Sequence, residues 1–455
     1  MKSVLPEIKS VTKYLDEDYR EYAIYVVEER AIPSVIDGFK PTQRKVIFVA
    51  DKVWRNGSEK PLKIFQLAGK VASDAHYHHG DGSLNGAIVG MAQKFKNSMP
   101  VLEEIGQFGS IRSPEAGAPR YISTKLHKNF RLLYMDFELL TPRYEEGSEI
   151  EPKYFLPIIP TVLLNGGSGI AVGFATNILN RNPLELIDAC LKELDGKKYK
   201  EPTPWYNGFS GTCSKDADNP NAWIFNGIYE VKNTTSVDIL EVPPSVTYEK
   251  FDTHLNALEE VRRIAGYDNR CKADINYTVK FRREDLKKLQ DTDKLSKFLK
   301  MEERQSENFT VLDENGDLKI FNNAIEIIQY FVNFRLQYYI KRKEYLIEKI
   351  GAELILLSNK AEFIKMIISG KLKVNNVPKK EIILALEVAN FEEINGSYAY
   401  LLGLPIHTLT KETYEDLLSA VKTKEGELTA IKSQEPIVTY KSDLLELKKA
   451  LSKSY

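Results

Sequence analysis

The chain has 455 residues, 43% of them hydrophobic and 28% charged, which is ordinary for folded protein and long enough for roughly two to four domains. Its 63 basic and 64 acidic side chains leave a formal net charge of −1, which excludes bulk attraction to a polyanion. Any nucleic-acid binding must come from charge gathered on one face. No apolar run is long enough to span a membrane and no signal-peptide apolar core opens the sequence, so a cytoplasmic protein is expected.

Residues 1–20 are polar and charged and read as an arm or short helix. Asp16-Glu17-Asp18 has no apolar strand before it and reads as a solvated helix end, not a metal pair. A helical pattern through Tyr22, Ile24, Val26 and Val27 ends at Arg30-Ala31-Ile32-Pro33, where the proline stops it. Asp37-Gly38 then marks a turn. Thr42 is expected to cap or begin a helix whose first turn carries Gln43, Arg44 and Lys45, with Lys40 just ahead. Free N–H groups at a helix start attract phosphate, and cations there strengthen the attraction. The stretch therefore fits a recognition helix of helix-turn-helix or winged-helix type, with an ordinary solvated basic face as the alternative.

His76, Tyr77, His78, His79, Gly80, Asp81 and Gly82 precede an apolar stretch from Ala87 to Phe95. No third metal ligand is suitably spaced, so phosphate contact or proton transfer is the expected role of the histidines. The three cysteines, Cys190, Cys213 and Cys271, are scattered and odd in number, which predicts reduced thiols and no disulfide framework.

The loop Glu115-Ala116-Gly117-Ala118-Pro119 delivers Arg120-Tyr121 into a new ordered segment. A phenol has a pKa of about 10 and is a poor nucleophile when neutral. A neighbouring guanidinium favours the phenolate and holds a phosphate oxygen. Such a pair suits attack on a phosphodiester, with the bond conserved as a phosphotyrosine ester. Tyrosine is abundant here, with 24 copies, and packing is the alternative role for Tyr121.

Between Tyr154 and Ile178, short β-rich runs alternate with glycine loops. Gly166-Gly167-Ser168-Gly169 lacks the Lys-Ser/Thr of a phosphate loop and does not match Gly-x-Gly-x-x-Gly. Ile178, after Thr176-Asn177, is expected to be exposed and able to wedge between base pairs, with a core position as the alternative. Helices and strands alternate from 184 to 320. Asp313-Glu314-Asn315-Gly316-Asp317 resembles the start of a calcium loop but lacks its downstream glutamate, and Asn-Gly between apolar runs predicts a hairpin. Residues 322–360 predict a long helix with a seam at Leu336, Ile340, Ile347, Ile350, Leu354, Leu357 and Ala361, broken by Lys343. Residues 411–432 answer with Tyr414, Leu417, Val421, Leu428 and Ile431, broken by Lys424. Phe363 to Leu404 predicts a compact helical tip, and 441–455 a charged helix.

The order of these pieces resembles the cleavage-reunion subunit of type IIA DNA topoisomerases from about residue 20 onward. The resemblance is carried by Arg30-Ala31-Ile32-Pro33, Asp37-Gly38-Phe39-Lys40-Pro41, Gln43-Arg44-Lys45, Tyr77-His78-His79-Gly80-Asp81, Gly106-Gln107-Phe108-Gly109, Pro119-Arg120-Tyr121, Leu156-Pro157-Ile158-Ile159-Pro160 and Thr176-Asn177-Ile178. The Gln-Arg-Lys and Tyr-His-His-Gly forms are closer to the eukaryotic enzymes than to gyrase A, and size with that mixed character resembles the bacteriophage branch.

The resemblance implies an α+β multidomain fold. It would comprise an N-terminal arm 1–20, a winged-helix cleavage domain 21–135 that forms the DNA gate, and an α/β tower domain 136–320. A long antiparallel coiled coil and C-gate would follow at 321–436, with a globular dimerisation tip 361–405, and then a C-terminal helix 437–455. It implies Tyr121 as the nucleophile of a 5′-phosphotyrosyl link, Arg120 as the charge stabiliser, and His79 with His78 lining the same site. Arg30, Lys40, Gln43, Arg44 and Lys45 would grip gate DNA, and Ile178 would bend it.

The family's Toprim fold, which binds Mg²⁺ through a glutamate and an Asp-x-Asp, has no counterpart here, since Asp216-Ala217-Asp218 and Asp291-Thr292-Asp293 lie in polar surroundings. No metal ligands are therefore expected in this chain. Mg²⁺ and ATP are expected on an ATPase/Toprim large subunit that joins a homodimer of this chain on double-stranded DNA. The few residues after 436 fall short of a DNA-wrapping domain, which favours relaxation and decatenation over supercoiling. A non-catalytic DNA-bridging clamp is the alternative function, and a recombination-type breaker a remoter one. A viral member would work in the host cytoplasm.

Overall fold

The computed structural model describes residues 10–453 apart from 56, 58, 59, 273 and 395. Residues 1–9 of the N-terminal arm expected at 1–20 therefore lie outside the described residues. The chain divides into two compact units, 1–335 with 441–455, and 336–440.

The first unit opens with helical turns through Val11–Tyr14, Leu15–Tyr19, Arg20–Val26 and Val27–Ala31, the second and fourth of them wider π turns. Helix α1 (Pro41–Trp54) begins one residue before the expected Thr42. Proline suits a first turn, where its missing N–H costs nothing. The backbone N–H of Lys40 donates to Gln43 Oε1 at 3.0 Å and closes the helix start. A two-residue strand β1 (Leu62–Lys63) leads into helix α2 (Ile64–Asp74), and helix α3 (Asp81–Ala92) follows. Strand β2 (Ser123–Thr124) pairs antiparallel with β1, Leu62 opposite Thr124. Beneath these elements lies a stacked aromatic group, with Phe39 5.5 Å and Phe130 5.0 Å from Tyr134.

A hairpin of β3 (Gly167–Ile170) and β4 (Ala175–Ile178) precedes helix α4 (Pro183–Leu194), whose start Asn182 caps through its side chain. Strands β5 (Thr212–Lys215) and β6 (Ala222–Asn226) open an α/β region. Next come β7 (Ile228–Asn233), β8 (Ser236–Glu241), helix α5 (Tyr248–Glu260), β9 (Gly266–Asn269) and β10 (Tyr277–Lys280). The antiparallel sheet β9-β10-β8-β7 covers a core of Val237, Ile239, Phe251, Leu255, Tyr277 and Val279. Strand β11 (Glu302–Ser306) completes the sheet β11-β6-β5. The hairpin expected around Asn315-Gly316 is present as β12 (Phe309–Leu312) and β13 (Leu318–Phe321). Asp313 Oδ1 accepts the backbone N–H groups of Asn315 and Asp317, so this carboxylate is spent on the turn.

Helix α6 (Ala324–Ile368) is longer than its expected bounds. In the second unit, helix α7 (Lys379–Val388) joins Phe363, Leu372, Phe391, Tyr398 and Leu401 in a compact core. Helix α8 (Lys411–Ser433) runs antiparallel to α6, because Lys343 meets its end and Glu353 meets Lys424 nearer its middle. The two residues that break the apolar seam are thereby explained. Lys343 Nζ donates to the carbonyls of Lys432 and Gln434, at 2.8 and 2.9 Å, where the helix leaves carbonyls unpaired. Lys424 Nζ sits 3.0 Å from both Glu353 and Glu427. Helix α9 (Pro436–Leu451) follows, and Tyr440 stacks on Tyr339 at 4.4 Å. No helix among the described residues is long and apolar enough to cross a membrane.

Candidate active site

Tyr121 emerges from a loop whose path is set by glycine and backbone pairing. Gly109 has φ +82°, and a Cβ there would lie 2.8 Å from the carbonyls of Ser113 and Pro114. The Gly117 N–H donates to the Gln107 carbonyl at 2.9 Å, and the Tyr121 N–H to Ala118 at 2.9 Å. Lys63 Nζ then holds the Tyr121 carbonyl at 2.9 Å. The backbone is fixed on three sides while the ring is left 73% exposed. The Arg120 guanidinium lies 6.0 Å from the ring centroid. A tyrosine that served as packing would be buried; this one is presented to solvent on a tethered backbone.

A second cluster forms where α1, the histidine segment and the β3–β4 hairpin meet. Arg30, Lys40, Gln43, Tyr77, His79, Ser83 and Ser168 line a cleft of about 470 Å³. Lys40 Nζ donates to the Ser168 carbonyl at 2.7 Å, and burial pulls its ammonium below the usual lysine range. Glu29 lines the same cleft, but Lys40 is half-buried and makes no ion pair among the described residues, so it gains from an arriving phosphate. His79 stands edge-on to Tyr77 at 5.4 Å, with Nε2 3.1 Å from the Tyr25 hydroxyl. His78 is exposed, its ring 6.5 Å from that of His76. The hairpin approaches so closely that a Cβ on Gly169 would lie 2.0 Å from the Ala31 carbonyl. That contact explains Gly169, and Gly166, where a Cβ would lie 2.4 Å from the Ile178 carbonyl, is likewise explained without any nucleotide.

Three residues expected at the DNA surface are placed elsewhere. Arg44 is buried, its Nε and Nη2 donating to Asp37 at 2.8 and 3.1 Å and Nη2 also to the Phe39 carbonyl. Burial opposes its charge most strongly, but the Asp37 carboxylate together with Glu151 and Glu29 more than offsets this and raises its pKa. Each helical residue turns the side chain about 100°, so Gln43 lines the cleft while Arg44 points into the core. Lys45 donates to the Ala75 carbonyl at 2.6 Å and to Glu151 at 3.0 Å, tying α1 to its neighbours. Ile178 is only 3% exposed and belongs to the core. The exposed isoleucine of the hairpin is instead Ile170, 88% exposed at the end of β3 and directly opposite Ala175. Alternation along the strand was the available signal, since Gly167 pairs with Ile178 and position 170 falls on the outward face.

These positions make a stability prediction. Arg44→Met should leave Asp37 buried without its cation and cost about 3–5 kcal/mol. Thermal unfolding should reveal that loss, while DNA affinity per folded molecule stays unchanged.

Tyr121 and His79 are not neighbours through the local backbone. The Ile122 carbonyl meets the first N–H of α2, whereas the histidines follow its last residue, Asp74. The 11 residues of α2 put the two ends about 16 Å apart along the helix axis at 1.5 Å per residue.

Among the described residues the carboxylates do not form a metal set. Asp216 accepts the Asp218 N–H and pairs with Arg304, which holds its carboxyl below the usual range. Among the described residues no group of three or more His, Cys, Asp or Glu could hold a metal ion.

Residues 30–446 match the family model of the A subunits of DNA gyrase and topoisomerase IV. The DNA topoisomerase medium subunit of Enterobacteria phage T4 is 34% identical over 97% of this chain and 99% of its own length. The mitochondrial DNA topoisomerase 2 of Dictyostelium discoideum is 32% identical over 98% of this chain, which spans 36% of that relative. The crystal structure of the Plasmodium falciparum topoisomerase II DNA-binding, cleavage and re-ligation domain, 31% identical, superposes with a TM-score of 0.86 over 97% of this chain and 64% of its own. The exposed Arg-Tyr pair, the basic cleft and these likenesses coincide: the chain belongs to the gyrase A and topoisomerase IV A-type family, the breakage-reunion subunits of type II DNA topoisomerases.

Proposed function

We propose that this chain forms the DNA gate of an ATP-dependent type II topoisomerase, an isomerase that relaxes and decatenates duplex DNA. Tyr121 Oη attacks a backbone phosphorus. The P–O3′ bond breaks as the P–Oη bond forms, the phenol gives up its proton and the 3′ oxygen takes one up. The ester left on the 5′ phosphate conserves the phosphodiester, so resealing reverses the same step. Arg120 neutralises charge that grows on the phosphate oxygens.

The observation that carries this proposal is the exposed phenol on a backbone held by Lys63. A bridging clamp would have no use for a solvent-facing Arg-Tyr pair on a tethered loop.

Two copies related by a two-fold axis would place two tyrosines across one duplex. The distance along α2 favours a site in which Tyr121 of one copy meets the cleft of the second. Arg30, Lys40, Gln43 and His79 would hold backbone phosphates there, with His78 beside them. Residues 21–135 would serve as the winged-helix gate and 136–320 as the tower. Within 321–436, the paired helices would form the coiled coil of an exit gate. Val388 and Ile406, exposed on the tip 361–405 and just beyond it, would join its two copies. Among the described residues no group of His, Cys, Asp or Glu gathers to hold a metal ion, and Mg²⁺ and ATP would be held by a large ATPase/Toprim subunit. For a virus of the T4 type the site of action would be the host cytoplasm.

The proposal is tested by trapping. Chain, large subunit, Mg²⁺ and plasmid are mixed, denatured with detergent and digested with protease. Peptide bonded to 5′ ends through position 121 is expected; free 5′ ends beside an active large subunit would refute it.

A further inference from the structure

The loop that carries Tyr121 is anchored twice, and the second anchor lies in a different part of the fold. Its base is held where Ile105 pairs with Ser123 and where Gln93 Nε2 donates to the carbonyls of Phe108 and Pro114, at 2.7 and 3.2 Å. Its tip is a tight turn in which Ser110 and Ser113 exchange backbone hydrogen bonds at 2.8 and 3.1 Å. Arg112, at that tip, is only 4% exposed. It leaves the loop altogether and enters the segment between β8 and α5.

There Arg112 Nη1 donates to the carbonyls of Pro243 and Val246 at 2.8 and 2.7 Å. Its Nη2 donates to the Val242 carbonyl at 2.6 Å and to Glu241 Oε1 at 2.5 Å. The Arg112 carbonyl in turn accepts the Tyr248 N–H at 3.0 Å. Glu241 is satisfied from the other side by Ser210, whose N–H and hydroxyl donate to Oε2 at 3.1 and 2.9 Å. One guanidinium therefore meets three carbonyls and a carboxylate more than a hundred residues away. A planar fork suits that arrangement, and a lysine cannot reproduce it.

We propose that Arg112 is a positioning residue for strand cleavage: it pins the Tyr121 loop to the α/β region, so that the phenol's placement depends on where β8 and α5 sit. This rests on Tyr121 being the nucleophile. Stretched between its base beside α3 and its tip at Glu241–Tyr248, the loop has little freedom. Released at the tip, it keeps its fold at the base but loses the constraint nine residues upstream of the phenol. An error of about 1 Å at a reacting atom costs on the order of 100-fold in rate.

The test uses the holoenzyme with duplex DNA and compares R112Q, R112K, E241Q and Y121F. For R112Q, DNA affinity should be unchanged while covalent-complex formation slows by about 10- to 100-fold. Religation from a preformed complex should slow by a similar factor, because both directions use the same placement. R112K keeps the charge but not the fork and should fall between R112Q and the wild type, with its melting temperature close to the latter. E241Q keeps the three carbonyl contacts and should lose least.

Should R112Q prove unfolded, R112K decides. A folded R112K that cleaves at the wild-type rate overturns the proposal, as does a loss of cleavage matched by an equal loss of DNA binding. Y121F separates the two layers. If it still forms covalent complex, the nucleophile assignment fails; if it does not while R112Q and R112K cleave normally, only the pin fails.

Discussion

Tyr121→Phe in the assembled enzyme should bind gate DNA as the wild type does and form no covalent complex at all. The substitution removes one oxygen from a ring that is already exposed, so no core contact is lost and the fold is untouched. The backbone bonds from Lys63 Nζ to the Tyr121 carbonyl and from the Tyr121 N–H to Ala118 do not involve the side chain. The cation–ring contact with Arg120 survives as well, because phenylalanine keeps the ring face. Only the nucleophile disappears. Loss of a nucleophile typically costs a rate factor of about 10⁴ or more, which here means relaxation below detection. The decisive measurements are linking-number change on supercoiled plasmid and protein retained on 5′ ends after denaturation. A Tyr121→Phe enzyme that still relaxes plasmid would require another hydroxyl to carry the strand, and the proposed mechanism would fall.

Much of the scaffold around that hydroxyl was legible because its signals are local. Thr42 beside a basic run marks the start of α1 to within one residue, Asn-Gly marks the β12–β13 turn, and alternating spacings of three and four mark α6 and α8. The loop before Tyr121 was legible for the same reason, since its glycines sit where the backbone turns tightly. What escaped depended on partners distant in sequence. Arg44 reads as a cation near a helix start, and only the position of Asp37, seven residues earlier and buried, turns it inward. Lys45 is drawn off by Glu151, 106 residues away. Arg112 carries no pattern at all, because its four acceptors lie between 241 and 246. Local reading cannot tell a lysine or arginine that waits for phosphate from one already committed to a carboxylate or carbonyl.

Ile178 shows the same limit in a strand, and there the consequence is measurable. Side chains alternate across a strand with period two, so an isoleucine's face depends on register. In the β3–β4 hairpin, Ile178 turns inward opposite Gly167 while Ile170 projects outward beside the turn. That turn is closed by the Ala171 N–H on the Phe174 carbonyl at 2.8 Å, with Gly173 at φ +78°. The base of the hairpin is rigid, because Gly166 and Gly169 leave no room for a Cβ against Ile178 and Ala31. A firm base with an apolar tip is what a wedge requires, since unstacking a base step costs a few kcal/mol that a floppy tip could not deliver.

Ile170→Ala is therefore expected to straighten bound DNA and weaken its binding by about 10-fold or more, the equivalent of roughly 1.5–3 kcal/mol for an isoleucine returned to water. Fluorescence transfer between the ends of a labelled duplex reads the bend. Ile178→Ala should do the opposite: it should cost about 2–5 kcal/mol of stability through a core cavity and leave the bend of the folded fraction intact. If Ile170→Ala bends DNA fully and Ile178→Ala does not, the exposed isoleucine is not the wedge. The buried one would then have to leave the core when DNA arrives.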